Sequence, residues 1–261
     1  MVEKLNEDIV TKARSVIGDI ADKGSVDFVT EVAAKLPLAL ICDLMGIPES
    51  EYELVFDMTN IILSNGDPEF IPEGANPIEA YLNAGGTLAA LMHTMAADRR
   101  ENPTDDLISA LVHAHEGEDD AEPLTVAELQ NLMHQLITGG FETTTSALNH
   151  GMWLLTRRPD VQARIRDDLS LVPAFIEESL RYESPVQGLF RTATQDVEVG
   201  DVTIPEGALV MVRYAAANRD VDVFDDADDF DIGRSTDAKH LAFGVGPHFC
   251  VGAALARQEL V

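Results

Sequence analysis

Apolar residues recur at helical spacing through most of the first 170 positions of the chain. Val2, Leu5, Ile9, Ala13, Val16, Ile17 and Ile20 fall on one face of a first helix. A second segment near 28–45 stops at Gly46, and Ile47-Pro48 follows, the order expected of a glycine cap and a residue that cannot continue a helix. The stretch SNGDPEFIPEGANP (64–77) predicts a loop, and helical spacing resumes over about 78–100 and 106–115. Thr125-x-x-Glu128 has the spacing of a capping box, in which hydroxyl and carboxylate each satisfy an exposed backbone N–H. The helix it opens runs without proline to about Arg158, a length of roughly 45–50 Å. Pro159 suits the first position of the next helix, and a short helix follows around Pro173–Tyr182.

Beyond that point the period changes. VEVGDVTI (197–204) predicts a hairpin turning at Gly200-Asp201, and ALVMVRY (208–214) a third strand. Two acidic stretches, EGEDDAE (116–122) and DVDVFDDADDFD (220–231), predict solvated loops; the first interleaves no His or Asn that would suggest a metal site. The fold class expected is mainly α with a small β portion near the C-terminal end. With 261 residues the chain suffices for one large domain or two modest ones, and the patterning favours a single domain over 1–261.

Composition narrows the function. A hydrophobic content of 46% supports a substantial core, and a formal charge of −28 argues against nucleic acid or an anionic membrane surface as a partner. Two cysteines, Cys42 and Cys250, are too few for a disulfide framework and point to a reducing, cytoplasmic setting. No run approaches the ~20 apolar residues of a membrane span, and the first residues lack a secretory apolar core. Both ends stop inside helical patterns, so the chain is expected to be a fragment.

Three motifs carry chemistry. In GGFETTT (139–145) two glycines sit inside the long helix, where each costs about 1 kcal/mol relative to alanine. Close packing against a neighbouring helix or close approach of a flat ligand would each compensate. Thr143 can bond the Gly139 carbonyl, and Glu142 places an acid beside that alcohol. Glu178-x-x-Arg181 is one helical turn apart and by itself suggests a surface ion pair; SPVQGLFR (184–191) follows and brings Arg191. In FGVGPHFCVG (243–252), Cys250 precedes a helical run, a setting that favours a thiolate. Gly244, Gly246 and Gly252 clear side chains from around the sulfur. Zinc would need further ligands where only His248 is near, and a nucleophilic cysteine would need a partnered base. A single axial thiolate on a porphyrin iron needs only one cysteine, a flat cavity and cations for the propionates.

Phe243-x-x-Gly246-x-x-x-Cys250-x-Gly252 resembles the heme-binding signature of the cytochrome P450 family. Gly139-Gly140-Phe141-Glu142-Thr143 resembles that family's oxygen-activating stretch, Glu178-x-x-Arg181 its Glu-x-x-Arg motif, and the arginine of FDIGR (230–234) the third member of its structural triad. All occur in the family's order, and the resemblance is closest to soluble bacterial members. It implies a cytochrome P450 fold, incomplete at both ends, and heme b held by Cys250; the turn at 166–172 departs from the family pattern in being short. His248 and Arg191 would hold the propionates and Phe243 would pack beside the thiolate. Gly252 would admit the porphyrin closely, with Gly244 and Gly140 also at the cofactor. Thr143 and Glu142 would be catalytic, delivering protons to the oxygen being activated. Glu178, Arg181 and Arg234 would be structural. Leu136, Val186, Gln187 and Leu189 would touch substrate. The implied reaction inserts one atom of O2 into a small, hydrophobic organic substrate, with electrons from a ferredoxin- or flavodoxin-type donor. The alternative is a non-catalytic or heme-free fragment of such an enzyme.

Overall fold

The computed structural model describes residues 2–114, 124–234 and 240–261, with residues 2–4 as backbone alone. The acidic run 116–122 and the expected helical position His115 lie outside the described residues. The chain divides into two compact units, Met1–Thr145 and Ser146–Val261.

In the first unit, α1 (Val2–Ile20) buries Ile9 but leaves Ile17 54% exposed, so the apolar face expected from the sequence is only partly used. The helix expected over 28–45 is two pieces, a π-helical turn at Val29–Ala33 and α2 (Lys35–Met45). Gly46 ends α2 at φ 73°, and its neighbour Ile47 donates to the Cys42 carbonyl at 2.8 Å. A side chain at Gly46 would also strike the Asp106 carboxylate. Helix α3 (Tyr52–Leu63), not singled out by the sequence pattern, packs against α4 (Pro77–Glu101). Asn76 caps α4 by accepting from the amides of Ile78 and Glu79, and Pro77 takes its first position. Helix α5 is shorter than expected, Leu107–Val112, and Asp106 caps it through the Ser109 amide at 2.7 Å. Cys42, Met45, Val55, Leu88, Met92, Ile108, Met133, Ile137 and Phe141 form this unit's core.

The long helix α6 covers Val126–Arg157, 32 residues, or about 48 Å at 1.5 Å per residue. Its capping box is formed: Glu128 N–H donates to Thr125 Oγ1 at 3.2 Å, and Thr125 N–H to Glu128 Oε2 at 2.9 Å.

In the second unit, α7 (Pro159–Asp167) begins at Pro159, a 3-10 turn occupies Leu169–Leu171, and α8 (Val172–Tyr182) follows. Strand β1 (Leu189–Thr192) pairs antiparallel with β4 (Leu209–Val212), while β2 (Val197–Val199) and β3 (Val202–Ile204) form the expected hairpin around Gly200 at φ 58°. The expected third strand therefore joins β1 instead of the hairpin. It also ends earlier, because Tyr214 opens the short helix α9 (Tyr214–Ala217). Helix α10 (Ala253–Leu260) is the last element.

A second core gathers Leu154, Val161, Phe175, Ile176, Leu180, Phe230 and Ile232. Phe230 meets the rings of Phe175 and Tyr182 edge-on at 5.9 and 5.5 Å. The acidic stretch 220–231 is thus not merely a solvated loop. It buries Phe224, Ala227 and Phe230 among its carboxylates, because those apolar side chains are worth more inside than in water.

Candidate heme-thiolate site

The glycines of 243–252 have a conformational role as well as the steric one read from the sequence. Gly244 and Gly246 lie at φ 68° and 73°, a region costly for residues with a Cβ. Val245 between them is extended, and the loop closes when Cys250 N–H donates to the Phe243 carbonyl at 2.9 Å. A 3-10 turn at Gly246–His248 carries His248, and Gly252 leads into α10. Cys250 is free and exposed; a methyl at Gly252 would lie 3.9 Å from its sulfur. Cys42, by contrast, is fully buried, and burial pushes its thiol up to about 12, with Asp43 adding to the shift. That thiol is a core side chain.

On α8, Arg181 grips Glu178 bidentately, Nε to Oε2 at 2.7 Å and Nη2 to Oε1 at 2.8 Å. The pair is 2% and 5% exposed, so the surface ion pair suggested by spacing alone is instead buried. Arg181 also donates to the carbonyls of Asn218, Ala227 and Asp229. Arg234 Nε reaches Glu178 Oε1 at 3.3 Å and its guanidinium donates to the carbonyls of Asp225, Asp226 and Asp229. The backbone of the acidic stretch is therefore organised by two arginines around one carboxylate.

In the first unit, Thr143 Oγ1 donates to the Gly139 carbonyl at 2.6 Å, as the spacing predicts. Gly140 has a packing reason for being glycine: a Cβ there would lie 2.9 Å from Ile41 Cδ1. At Gly139 a Cβ would meet nothing within 4 Å. Close helix packing therefore accounts for one glycine of the pair. Leu136, Gly140, Glu142 and Thr143 belong to the first unit, and the other candidate residues to the second.

The cytochrome P450 family model matches residues 84–261. The chain belongs to the cytochrome P450 family. Among curated relatives, it is 39% identical over 259 residues to cytochrome P450 107B1 of Saccharopolyspora erythraea, covering 99% of this chain and 59% of that protein. It is 39% identical to the methyl-branched lipid omega-hydroxylase of Mycobacterium bovis, over 94% of this chain and 56% of that one. It is 37% identical to the cyclomarin C epoxidase CymV of Salinispora arenicola, over 99% and 64%. The chain thus spans 56–64% of the length of these relatives. A solved structure of P450BioI, in complex with an acyl carrier protein ligated to hexadec-9Z-enoic acid, superposes with a TM-score of 0.88 at 29% identity, covering 99% of this chain and 65% of that one.

For a cytochrome P450, the donor set at the loop fits a heme. Among the described residues no group of three or more His, Cys, Asp or Glu is arranged to hold a metal ion. Cys250 offers a single ligand, which suits an iron that brings its other ligands in a macrocycle and does not suit structural zinc. Arg191 lies on β1 and is exposed, its Nη1 donating to the Phe190 carbonyl at 2.9 Å, and His248 is exposed as well. Val186 and Gln187 precede β1, Leu189 opens it, and Gln187 Nε2 donates to the Ser184 carbonyl at 2.7 Å.

Sequence reasoning missed three residues in this unit of the P450 chain. Asn218 is fully buried; it donates to Ser184 Oγ at 2.8 Å and accepts from the Leu241 amide at 2.6 Å. Gly188 lets β1 approach β4, since a Cβ would lie 2.6 Å from the Val212 carbonyl. Glu177, overshadowed by the motif glutamate beside it, pairs with Arg257 and His240. Only the doubled glutamate at 177–178 was visible in the sequence, and nothing in its spacing named Arg257.

Proposed function

We propose that the protein is a heme-thiolate monooxygenase in which Cys250 would supply the thiolate that holds heme b. The observation that carries this is one exposed, unpaired cysteine on a loop closed by its own backbone, in a chain of the P450 family. When bound, the heme supplies the activation of O2 and the transfer of one oxygen atom to substrate, the second leaving as water. The protein's residues hold and time that chemistry. The Phe243 carbonyl fixes the Cys250 backbone, and Gly252 leaves the sulfur accessible. His248 and Arg191 offer cations to the propionates. Gly244 serves the turn that opens the cysteine loop, and Gly140 keeps its helix close to α2.

Thr143 holds a proton on Oγ1, engaged with the Gly139 carbonyl, and can redirect it to an acceptor in the site; Glu142 is the adjacent proton source. Glu178, Arg181 and Arg234 brace the fold. Leu136, Val186, Gln187 and Leu189 contact a small hydrophobic substrate, a class supported by the lipid named for one relative. Electrons arrive from a ferredoxin- or flavodoxin-type partner in the cytoplasm, and residues 1–261 act as one P450 domain. In support, no helix among the described residues is long and apolar enough to cross a membrane.

The test is the reduced, carbon-monoxide-bound absorption spectrum of the purified chain supplied with heme. A strongly red-shifted, thiolate-type Soret band that Cys250→Ala abolishes supports the reading. Absence of that band, or its persistence in Cys250→Ala, overturns it and favours a chain that does not hold heme.

A further inference from the structure

Glu177 stands beside Glu178 on α8, so its side chain leaves the helix in a different direction, away from the Arg181 network. Its Oε1 accepts from Arg257 Nε at 2.6 Å and its Oε2 from Arg257 Nη2 at 3.0 Å, a bidentate clasp on α10. The same Oε2 lies 3.1 Å from His240 Nε2. The Ala242 amide donates to His240 Nδ1 at 3.2 Å, which leaves Nε2 as the protonated nitrogen pointing at the carboxylate. One carboxylate thus ties down the residue that enters the cysteine loop and the helix that leaves it.

Phe243 lies between those two attachments. The Arg257 guanidinium sits 4.5 Å from the Phe243 ring centroid, and the His240 ring 5.9 Å from it. Phe243 is in turn the residue whose carbonyl receives the Cys250 amide, and its ring meets Phe249 at 6.4 Å. A displacement of Arg257 or His240 therefore reaches the Cys250 backbone through a single residue.

We propose that Glu177 is a positioning residue for the proposed heme ligand: through Arg257 and His240 it clamps Phe243 and so sets the conformation of the Cys250 backbone. The proposal rests on the heme-thiolate reading for its consequence, but the clamp itself is a property of the protein alone. Its role differs from that of Glu178, which organises carbonyls of the acidic stretch. The two adjacent glutamates divide the work, one holding the fold and the other holding the loop.

The full chain is compared with Glu177→Gln and Arg257→Lys by two measurements. Hydrogen exchange, without heme, is followed in peptides covering 243–252 and 172–182. The expected result for Glu177→Gln is exchange faster by about tenfold across 243–252, including the Cys250 amide, with α8 unchanged. Arg257→Lys keeps the charge while losing the bidentate clasp, and is expected to fall between parent and Glu177→Gln. With heme, the thiolate share of the reduced carbon-monoxide spectrum is expected to fall in the same order.

Unchanged loop exchange in both variants overturns the proposal. Loss of protection in α8 together with the loop, in both variants, also overturns it, because the network would then brace the fold at large. If the parent shows no thiolate band, the functional reading fails, while the exchange comparison still decides the clamp.

Discussion

The backbone amide of Cys250 donates to the carbonyl of Phe243 at 2.9 Å, so the cysteine is held by main chain and not by its side chain. The sulfur itself is exposed and adds little to folding. Cys250→Ser is expected to leave stability within about 0.5 kcal/mol of the parent while removing the thiolate-type band. Chemical denaturation and the reduced carbon-monoxide spectrum, recorded on the same preparation, check both halves.

The Glu178–Arg181 pair behaves oppositely. Both partners are buried, and Arg181 satisfies three backbone carbonyls that would otherwise lose their donor. Arg181→Ala removes the bidentate partner of buried Glu178, leaving Arg234 as its remaining cation, and takes its N–H donors from those carbonyls; it is expected to cost about 3–5 kcal/mol. Urea unfolding monitored by circular dichroism measures this; a loss below ~1 kcal/mol would contradict the structural role.

The two glycines of 139–140 separate in a simple experiment. Gly140→Ala drives a methyl to within 2.9 Å of Ile41 Cδ1 and is expected to destabilise by about 1–3 kcal/mol. Adding Ile41→Val removes that terminal methyl and should recover part of the loss. Gly139→Ala meets no neighbouring atom and is expected to stabilise by about 1 kcal/mol through helix propensity. Thermal melts of the four proteins give the comparison.

Glu259 is 7% exposed on α10, its Oε2 has no hydrogen-bond partner among the described residues, and burial pushes its carboxyl from 4.5 up to about 8. Between those values the folded chain holds a proton that the unfolded chain has released, so stability falls as pH rises through the window. The penalty is absent below about 4.5 and complete above about 8. Glu259→Gln is therefore expected to raise Tm at pH 8, by an amount on the order of a few kcal/mol of stability, and to change little at pH 4. Equal effects at both pH values would refute this.

Glu177 titrates the other way. Burial works to raise its pKa, but hydrogen bonds from His240 and Arg257 outweigh it and hold the carboxyl down to about 2. Its contribution is complete above the ordinary 4.5 and is lost as pH falls toward 2. Acid titration of the parent against Glu177→Gln is expected to show the two stability curves converging over that interval.

Much of this protein is set by local chemistry that a sequence displays. The capping box at Thr125 and Glu128, the stop at Gly46, the proline at 159 and the turn at Gly200 each act within a few residues, and each appears where the pattern places it. The glycine-cysteine loop was legible from its composition, as glycines clearing space around one cysteine; the left-handed backbone that Gly244 and Gly246 also serve came from the structure. Tertiary structure decided what distant segments do to one another. Whether Glu178 and Arg181 lie on a surface or in the core depends on carbonyls from 218 to 229, dozens of residues away. The partner of β4, the atom that forbids a side chain at Gly140, and the division between Glu177 and Glu178 rest likewise on packing across the chain. Periodicity tells which face of a helix is apolar, but burial and pairing are settled only when another segment arrives to meet it.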